Sequence, residues 1–400
     1  MATPAQRTNT WILDEWYDQA VAGTQGAYVG TTELWGWGSA ATGALGNQES
    51  SPSDKYSSPI QLPGSWTDQF GVGHESAGCI KSDGTLWTWG YASYGEGGHN
   101  NTTQYSSPKQ VGTDTDWATF NKGQEFMVAT RTDGTMWACG RTYRGQLGQN
   151  ESGSVYYSSP RQIPGSTWST TYKVATSQKG LCAVKSDGTL WSWGWNAQGM
   201  LGLNESGSVD GKSSPTQIGT DTTWLRPAIG SSTNAGNMAA IKVDGTLWIW
   251  GNNGNGQGGQ NSTSVANYSS PTQVPGTGWK TVWLTNFTIA TKTDGTLWSW
   301  GNNDNGRLGH NETGGRISSP VQVGTDTTWD EVGGGRTQAF ASKTDGTLWA
   351  WGENENGGLL QNDTVDRSSP TQIPGMWGST APLGCFSPTG NRTWFGNKIS

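Results

Sequence analysis

The chain is 400 residues long, with 61 Gly, 25 Trp, only 14% charged residues and a formal net charge of −7. It has no Lys/Arg run to displace counterions from a nucleic acid, so DNA and RNA are poor partners for it. No stretch carries long helical periodicity or an apolar run of membrane-spanning length, which leaves β structure as the expected class and no membrane insertion.

The first residues, Met1-Ala2-Thr3-Pro4-Ala5-Gln6-Arg7, lack the apolar core of a signal peptide. This predicts synthesis in the cytoplasm, with any exit by lysis or a non-standard route. Trp16 then opens a series of repeat units that start near residues 16, 66, 117, 168, 224, 279, 329 and 377. In each unit a Trp leads strand A, and strand B is a segment such as Ala77-Gly78-Cys79-Ile80-Lys81. An Asp-Gly pair makes the hairpin that follows, because Gly accepts positive φ without a Cβ clash. Strand C reads Asp83-Gly84-Thr85-Leu86-Trp87-Thr88-Trp89-Gly90, with copies at 133–140, 187–194, 244–251, 294–301 and 345–352. Its period-two alternation puts both tryptophans on one face, as packing between repeats. Strand D carries Ser-Ser-Pro-x-Gln, with prolines at Pro59, Pro108, Pro160, Pro215, Pro271, Pro320 and Pro370. Proline suits an outermost strand, where a missing N–H costs no ladder bond.

A Trp- and Gly-rich period of this length is the mark of β-propeller blades. Weaker strand-C copies at 33–38 and 391–396 bring the total to eight. The expected fold is all-β, one domain over 1–400, with eight four-stranded blades; seven is the alternative. The unit from Trp377 has no Ser-Ser-Pro-x-Gln, and Asn9-Thr10-Trp11-Ile12-Leu13 stands before Trp16 as a D strand would. Residues 1–15 are therefore expected to close the ring by pairing the N- and C-terminal strands, which removes the last free edge.

The Asp-Gly-Thr-Leu-Trp-x-Trp-Gly phrase, the run Gly301-Asn302-Asn303-Asp304-Asn305-Gly306-Arg307-Leu308-Gly309 and the Pro-x-Gln-Val segment resemble the regulator-of-chromosome-condensation repeat. The resemblance covers essentially the whole chain and implies a propeller, usually of seven blades. It says little of function, because this fold serves exchange factors, a plant photoreceptor, secreted inhibitors and phage proteins. The Gly-Trp-Arg-His-Thr string of the photoreceptor and the basic tail of the exchange factor are both missing from this sequence.

Strand parity puts the A–B and C–D connections on one face and the B–C and D–A connections on the other. The second face carries the Asp-Gly turns and near-identical Gly-Thr-Asp-Thr links, whereas the first carries loops of differing sequence. Variable loops on a rigid scaffold are where binding resides. The expected ligand-binding rim is Thr24, Gln25, His74, Glu75, Gln124, Glu125, Gln178, Lys179, Asn286, Arg336 and Thr337. Loop aromatics Tyr91, Tyr94, Tyr143, Tyr156, Tyr157, Trp195 and Tyr268 add flat rings beside amides and hydroxyls, suited to protein or carbohydrate recognition. The plainer alternative is that these residues only cap blade ends.

No catalytic motif is present, and His74, His99 and His310 stand in different units, so no enzyme is expected. Cys79, Cys139, Cys182 and Cys385 lack CxxC spacing and read as buried thiols. Asn302 to Gly306 fits a turn better than a calcium loop, and no metal or cofactor is expected. Sequons such as Asn150-Glu151-Ser152 in the C–D loops also read as turn chemistry. The two functional expectations are a virion adhesion or decoration module (phage tail or surface, in a larger assembly, with a protein or cell-surface glycan ligand) and a soluble protein-binding propeller inside a bacterial cell.

Overall fold

The computed structural model describes residues 32–51, 55–172, 174–177, 179–205, 211–229, 236–262, 267–355, 357–375, 377, 383–384 and 393–399. Among them the strands form seven four-stranded antiparallel sheets. Blade 1 shows the pattern, with strands Trp66–Val72 (A), Ser76–Lys81 (B), Leu86–Gly90 (C) and Tyr105–Gln110 (D) paired in that order. Blades 2 to 6 occupy 117–163, 175–217, 224–273, 279–322 and 329–373. Each A strand packs against the A strand of the next blade, and blade 7 packs back on blade 1, so the ring closes in chain order. No described helix is long and apolar enough to cross a membrane.

Blade 7 corrects the count of eight. Its A and B strands are Leu383–Gly384 and Thr393–Ile399, and its C and D strands are Thr32–Ser39 and Lys55–Leu62. The two terminal units are complementary halves of one blade. By sequence, Asn391 to Gly396 resembles a C strand, but no Asp-Gly pair precedes it, and Thr393–Ile399 pairs in register with Thr32 to Gly38. Phe395 is buried there and meets Trp89 edge-on at 5.7 Å. The termini do close the ring, through these strands. The closing strand expected at 9–13, the unit from Trp16, and the rim residues Thr24, Gln25 and Gln178 lie outside the described residues.

The repeated phrase has a physical reason in every clause. The second strand-C tryptophan is buried, and its indole N–H donates to a loop carbonyl of the preceding blade. These bonds run from Trp37 to Gly358, Trp89 to Ala44, Trp193 to Gln146, Trp250 to Met200, Trp300 to Gln257 and Trp351 to Arg307, at 2.9–3.1 Å. The strand-A tryptophan meets the strand-C pair edge-on, as at Trp279 with Trp298 (6.1 Å) and Trp300 (5.7 Å). The C–D loops of blades 1 to 5 and of blade 7 also dock on the next blade's D strand. A left-handed Asn such as Asn311 (φ 61°) donates its N–H to Ser368 O at 2.7 Å and accepts from Ser369 Oγ at 3.3 Å. The sequon asparagines thus serve inter-blade turns. Gly306 (φ 72°) has to be glycine, since a Cβ there would lie 2.5 Å from Ser368 Cα.

Blade 2 departs from the pattern. Cys139 stands where the second tryptophan should be, and the waiting carbonyl of Glu96 is taken by Nζ of buried Lys122 at 3.3 Å. The Glu96 side chain is fully buried beside it, and burial pushes its carboxyl pKa up against the opposing Lys122 charge. Cys79, Cys139 and Cys182 are buried free thiols; Cys385 lies outside the described residues.

Candidate partner-binding face

The hairpin face is chemically closed. In each Asp-Gly turn the Asp accepts from the Thr two residues on, as Asp294 does from Thr296 N (3.0 Å) and Oγ1 (2.6 Å). That Thr hydroxyl in turn accepts the indole N–H of Trp298 at 2.8 Å. The cation ending strand B lies over two tryptophans; Lys343 Nζ stands 4.7 Å from Trp329 and 4.1 Å from Trp349. In blades 2, 4 and 6 an Asp from the preceding link pairs with it: Asp326 with Lys343 (2.6 Å), Asp221 with Lys242 (2.5 Å) and Asp114 with Arg131 (2.5 Å). The lysine hydrogen bonds, followed by those from Thr223 and Thr328, hold the Asp221 and Asp326 carboxyls down at about 2. The turn Asp, its Thr and the first strand-C indole are thus engaged with one another in each Asp-Gly hairpin.

The other face has the parity read from sequence. The residue after the strand-C glycine donates its N–H to the A–B tip of its own blade: Tyr91 to Glu75 O, Arg141 to Glu125 O and Trp195 to Lys179 O at 2.8 Å, Asn302 to Asn286 O at 3.1 Å, and Glu353 to Thr337 O at 3.2 Å. Tips and loops are therefore one surface.

Across blades 1 to 3 that surface forms a continuous belt of rings and cations. His74 meets Tyr91 edge-on at 5.3 Å, and Tyr91 meets Tyr94 at 6.5 Å. Arg141 of blade 2 lies 4.7 Å from the Tyr94 ring and 5.0 Å from Tyr143, held by Glu125 at 2.9 Å. Arg144 covers Tyr143 at 4.7 Å. Lys179 of blade 3 bridges Tyr143 (5.8 Å) and Trp195 (5.3 Å). Gln124 lies beside Glu125 at the same tip, and its carbonyl accepts from His74 N at 3.2 Å. The belt is most apolar at blade 2, where Tyr143, Val155 and Tyr156 are 38%, 39% and 53% exposed. They adjoin one another, since Thr142 N donates to Val155 O at 2.9 Å and Tyr156 pairs with Arg141.

Other expected residues stand apart. Asn286 belongs to blade 5, and Arg336 (exposed) and Thr337 to blade 6. Tyr268 is half-buried against the cluster of Met200 and Trp248 and accepts from Asn253 Nδ2 at 3.3 Å, so it packs a loop. Tyr157 bonds Glu151 and lies under Arg161 at 3.5 Å, on the outer edge of blade 2. Sequence reasoning missed Arg141, Arg144 and Val155. The available signal was position: Arg141 follows a strand-C glycine, as Tyr91 and Trp195 do. Asn302 to Gly306 forms a turn with Asn305 at φ 60°, and Leu308 N donates to Asn303 Oδ1 at 3.1 Å.

These features are those of a β-propeller whose repeats are similar to the regulator-of-chromosome-condensation (RCC1) repeat. The RCC1 repeat profile matches residues 187–234 and 294–341. The chain is 24% identical over 235 residues to the E3 ubiquitin-protein ligase HERC2 of Homo sapiens, a match covering 58% of this chain and 5% of HERC2. It is 26% identical over 262 residues to the mitochondrial RCC1 domain-containing protein RUG3 of Arabidopsis thaliana, covering 60% of this chain and 54% of that one. The chain thus spans about half of one curated relative and a twentieth of the other. Among solved structures it resembles Prp20p of Saccharomyces cerevisiae, described with its binding to Gsp1p and histones (TM-score 0.77, 16% identity, 93% and 92% of the two chains). It also resembles yeast RCC1 (Prp20) bound to Kap60 (0.76, 18%, 93% and 90%) and human WBSCR16 (0.75, 18%, 92% and 99%). At these identities the likeness is one of fold.

Proposed function

We propose that this propeller is a protein-binding module, acting by docking rather than by chemistry, and that its docking surface is the loop face of blades 1 to 3. The observation that carries this reading is the exposed Tyr143, Val155 and Tyr156 patch flanked by Arg141, Arg144 and Lys179. Tyr, Trp and Arg are the residues that dominate protein interfaces, because they bury large areas at low entropic cost and still hydrogen-bond at their ends. Cations resting on those rings hold them in place before a partner arrives, which lowers the ordering cost of binding. The relatives whose structures are described with Gsp1p, histones or Kap60 are protein binders on the same fold, which supports the class of ligand and not its identity.

We take the blade 1–3 members of the expected rim as the docking residues, and Asn286, Arg336 and Thr337, on blades 5 and 6, as lying outside the docking patch. Of the two functional expectations, the soluble protein-binding propeller is retained. The solved relatives, described with protein partners, lend no support to a virion or glycan role.

The test is affinity capture from source extract with the wild-type chain and with Tyr143→Ala/Tyr156→Ala in parallel. A protein retained by the first alone, and then reconstituted with purified components, supports the reading. Equal retention of every reconstituted partner by both chains refutes it.

A further inference from the structure

Six of the seven blade junctions are plugged by a strand-C indole, and the space around it is built alike each time. At the junction of blades 2 and 3, Gly148, Ile163 and Pro215 converge beside the Trp193 indole: a Cβ on Gly148 would lie 3.1 Å from the indole nitrogen, 3.1 Å from Ile163 and 3.5 Å from Pro215. Gly309, Val323 and Pro370 surround Trp351 in the same way. The corresponding residues at the junction of blades 1 and 2 are Gly98, Val111 and Pro160. There the indole is absent, because the residue is Cys139, and those three line a groove of about 360 Å³. Met127 and Cys139 fill its inner end, within 2.8 and 3.4 Å of a Cβ on Gly98, so the slot that remains opens outward. Nothing need donate to the Glu96 carbonyl, which Lys122 already occupies.

The groove is also charged at one point. Its Arg131 is neutralised by Asp114 at 2.5 Å. Its Lys109 has no carboxylate within salt-bridge distance among the described residues; it lies over the Tyr105 ring at 4.0 Å and bonds that hydroxyl at 2.6 Å. Blades 3, 4 and 6 carry threonine at the position of Lys109 (Thr216, Thr272 and Thr371). A groove at the place of a lost indole, walled by Val111, Pro160, Trp117 and Trp137 beside polar side chains and carrying an ammonium bonded only to a neutral phenol, suits a ligand with a ring and an anionic group.

We propose that the blade 1–2 junction is a binding site for an aromatic carboxylate, its ring entering the slot between Val111 and Pro160 and its carboxylate meeting Lys109. The site is separate from the loop-face belt, and its fate is independent of the docking reading.

The probe is indole-3-acetate, titrated into the full chain with methionine methyl groups labelled for NMR; Met127, at the inner end of the slot, is the reporter. The expected result is saturable movement of the Met127 methyl signal, with calorimetry giving one site. Lys109→Thr places the residue of three other blades on an exposed strand and leaves folding intact. It is expected to weaken indole-3-acetate about tenfold and to abolish its advantage over uncharged indole-3-ethanol. Cys139→Trp, where it folds, should eliminate binding by refilling the slot. The proposal fails if the wild-type Met127 signal does not move at millimolar probe, or if Lys109→Thr binds the acid as tightly as the wild type.

Discussion

The two faces of the ring are made from the same repeat yet solve opposite problems. On the hairpin face, Asp294, Thr296, Trp298 and Lys292 satisfy one another in blade 5, and the equivalent residues do so in blade 6. On the loop face, blades 1 to 3 leave Tyr143, Val155 and Tyr156 in solvent. Repetition on the first face reflects a geometric demand: each turn has to seat one Trp under one cation before the next link can begin. Variation on the second is permitted because the bond that ties each loop to its tip, such as Arg141 N to Glu125 O, runs between backbone groups and so does not depend on residue type. The lesson is that uniform copies mark structure and divergent copies mark the surface left free for a partner.

That contrast can be broken from the structural side first. Trp300→Ala removes a buried indole and its bond to Gln257 O, and should cost about 3–5 kcal/mol, read as a large fall in melting temperature by calorimetry. A shift as small as that of a surface substitution would deny the staples their role. Gly306→Ala forces a Cβ against Ser368 at positive φ and should cost about 2 kcal/mol in denaturant unfolding. Acid should sharpen the picture with a smaller effect. Asp221 and Asp326 have folded pKa values lowered to about 2, so their stabilisation is complete above the unfolded value of 3.8 and is lost as pH falls toward about 2. Both are partly exposed, and solvent screening keeps the effect modest. In the Asp221→Asn/Asp326→Asn variant, the pH 2–4 part of the stability profile should flatten. An unchanged slope would assign acid sensitivity elsewhere.

Much of this architecture was legible in the sequence. The Asp-Gly turn, the Trp-x-Trp alternation and the edge proline each have one sterically natural place, so strands A to D and their parity follow from residue types. The blade count does not, because Thr393-Trp394-Phe395-Gly396 alternates as a B strand as readily as a C strand. Only pairing with Thr32–Ser39 decides between them. Residue types at the binding rim were legible too, but neighbours were not. That Arg141 reaches Tyr94 in another blade depends on the inter-blade geometry, which its position after a strand-C glycine does not reveal.

The central claim is that the loop face of blades 1 to 3 docks a protein while the hairpin face only holds the ring. Hydrogen exchange of the full chain with and without its captured, purified partner tests both halves in one measurement. Protection should appear in the peptides around Tyr91 to Tyr94, Arg141 to Tyr143 and Trp195, and not in the Asp-Gly turns at 83–84, 133–134 and 187–188. Protection confined to those turns, or centred on blades 5 and 6, would contradict the account.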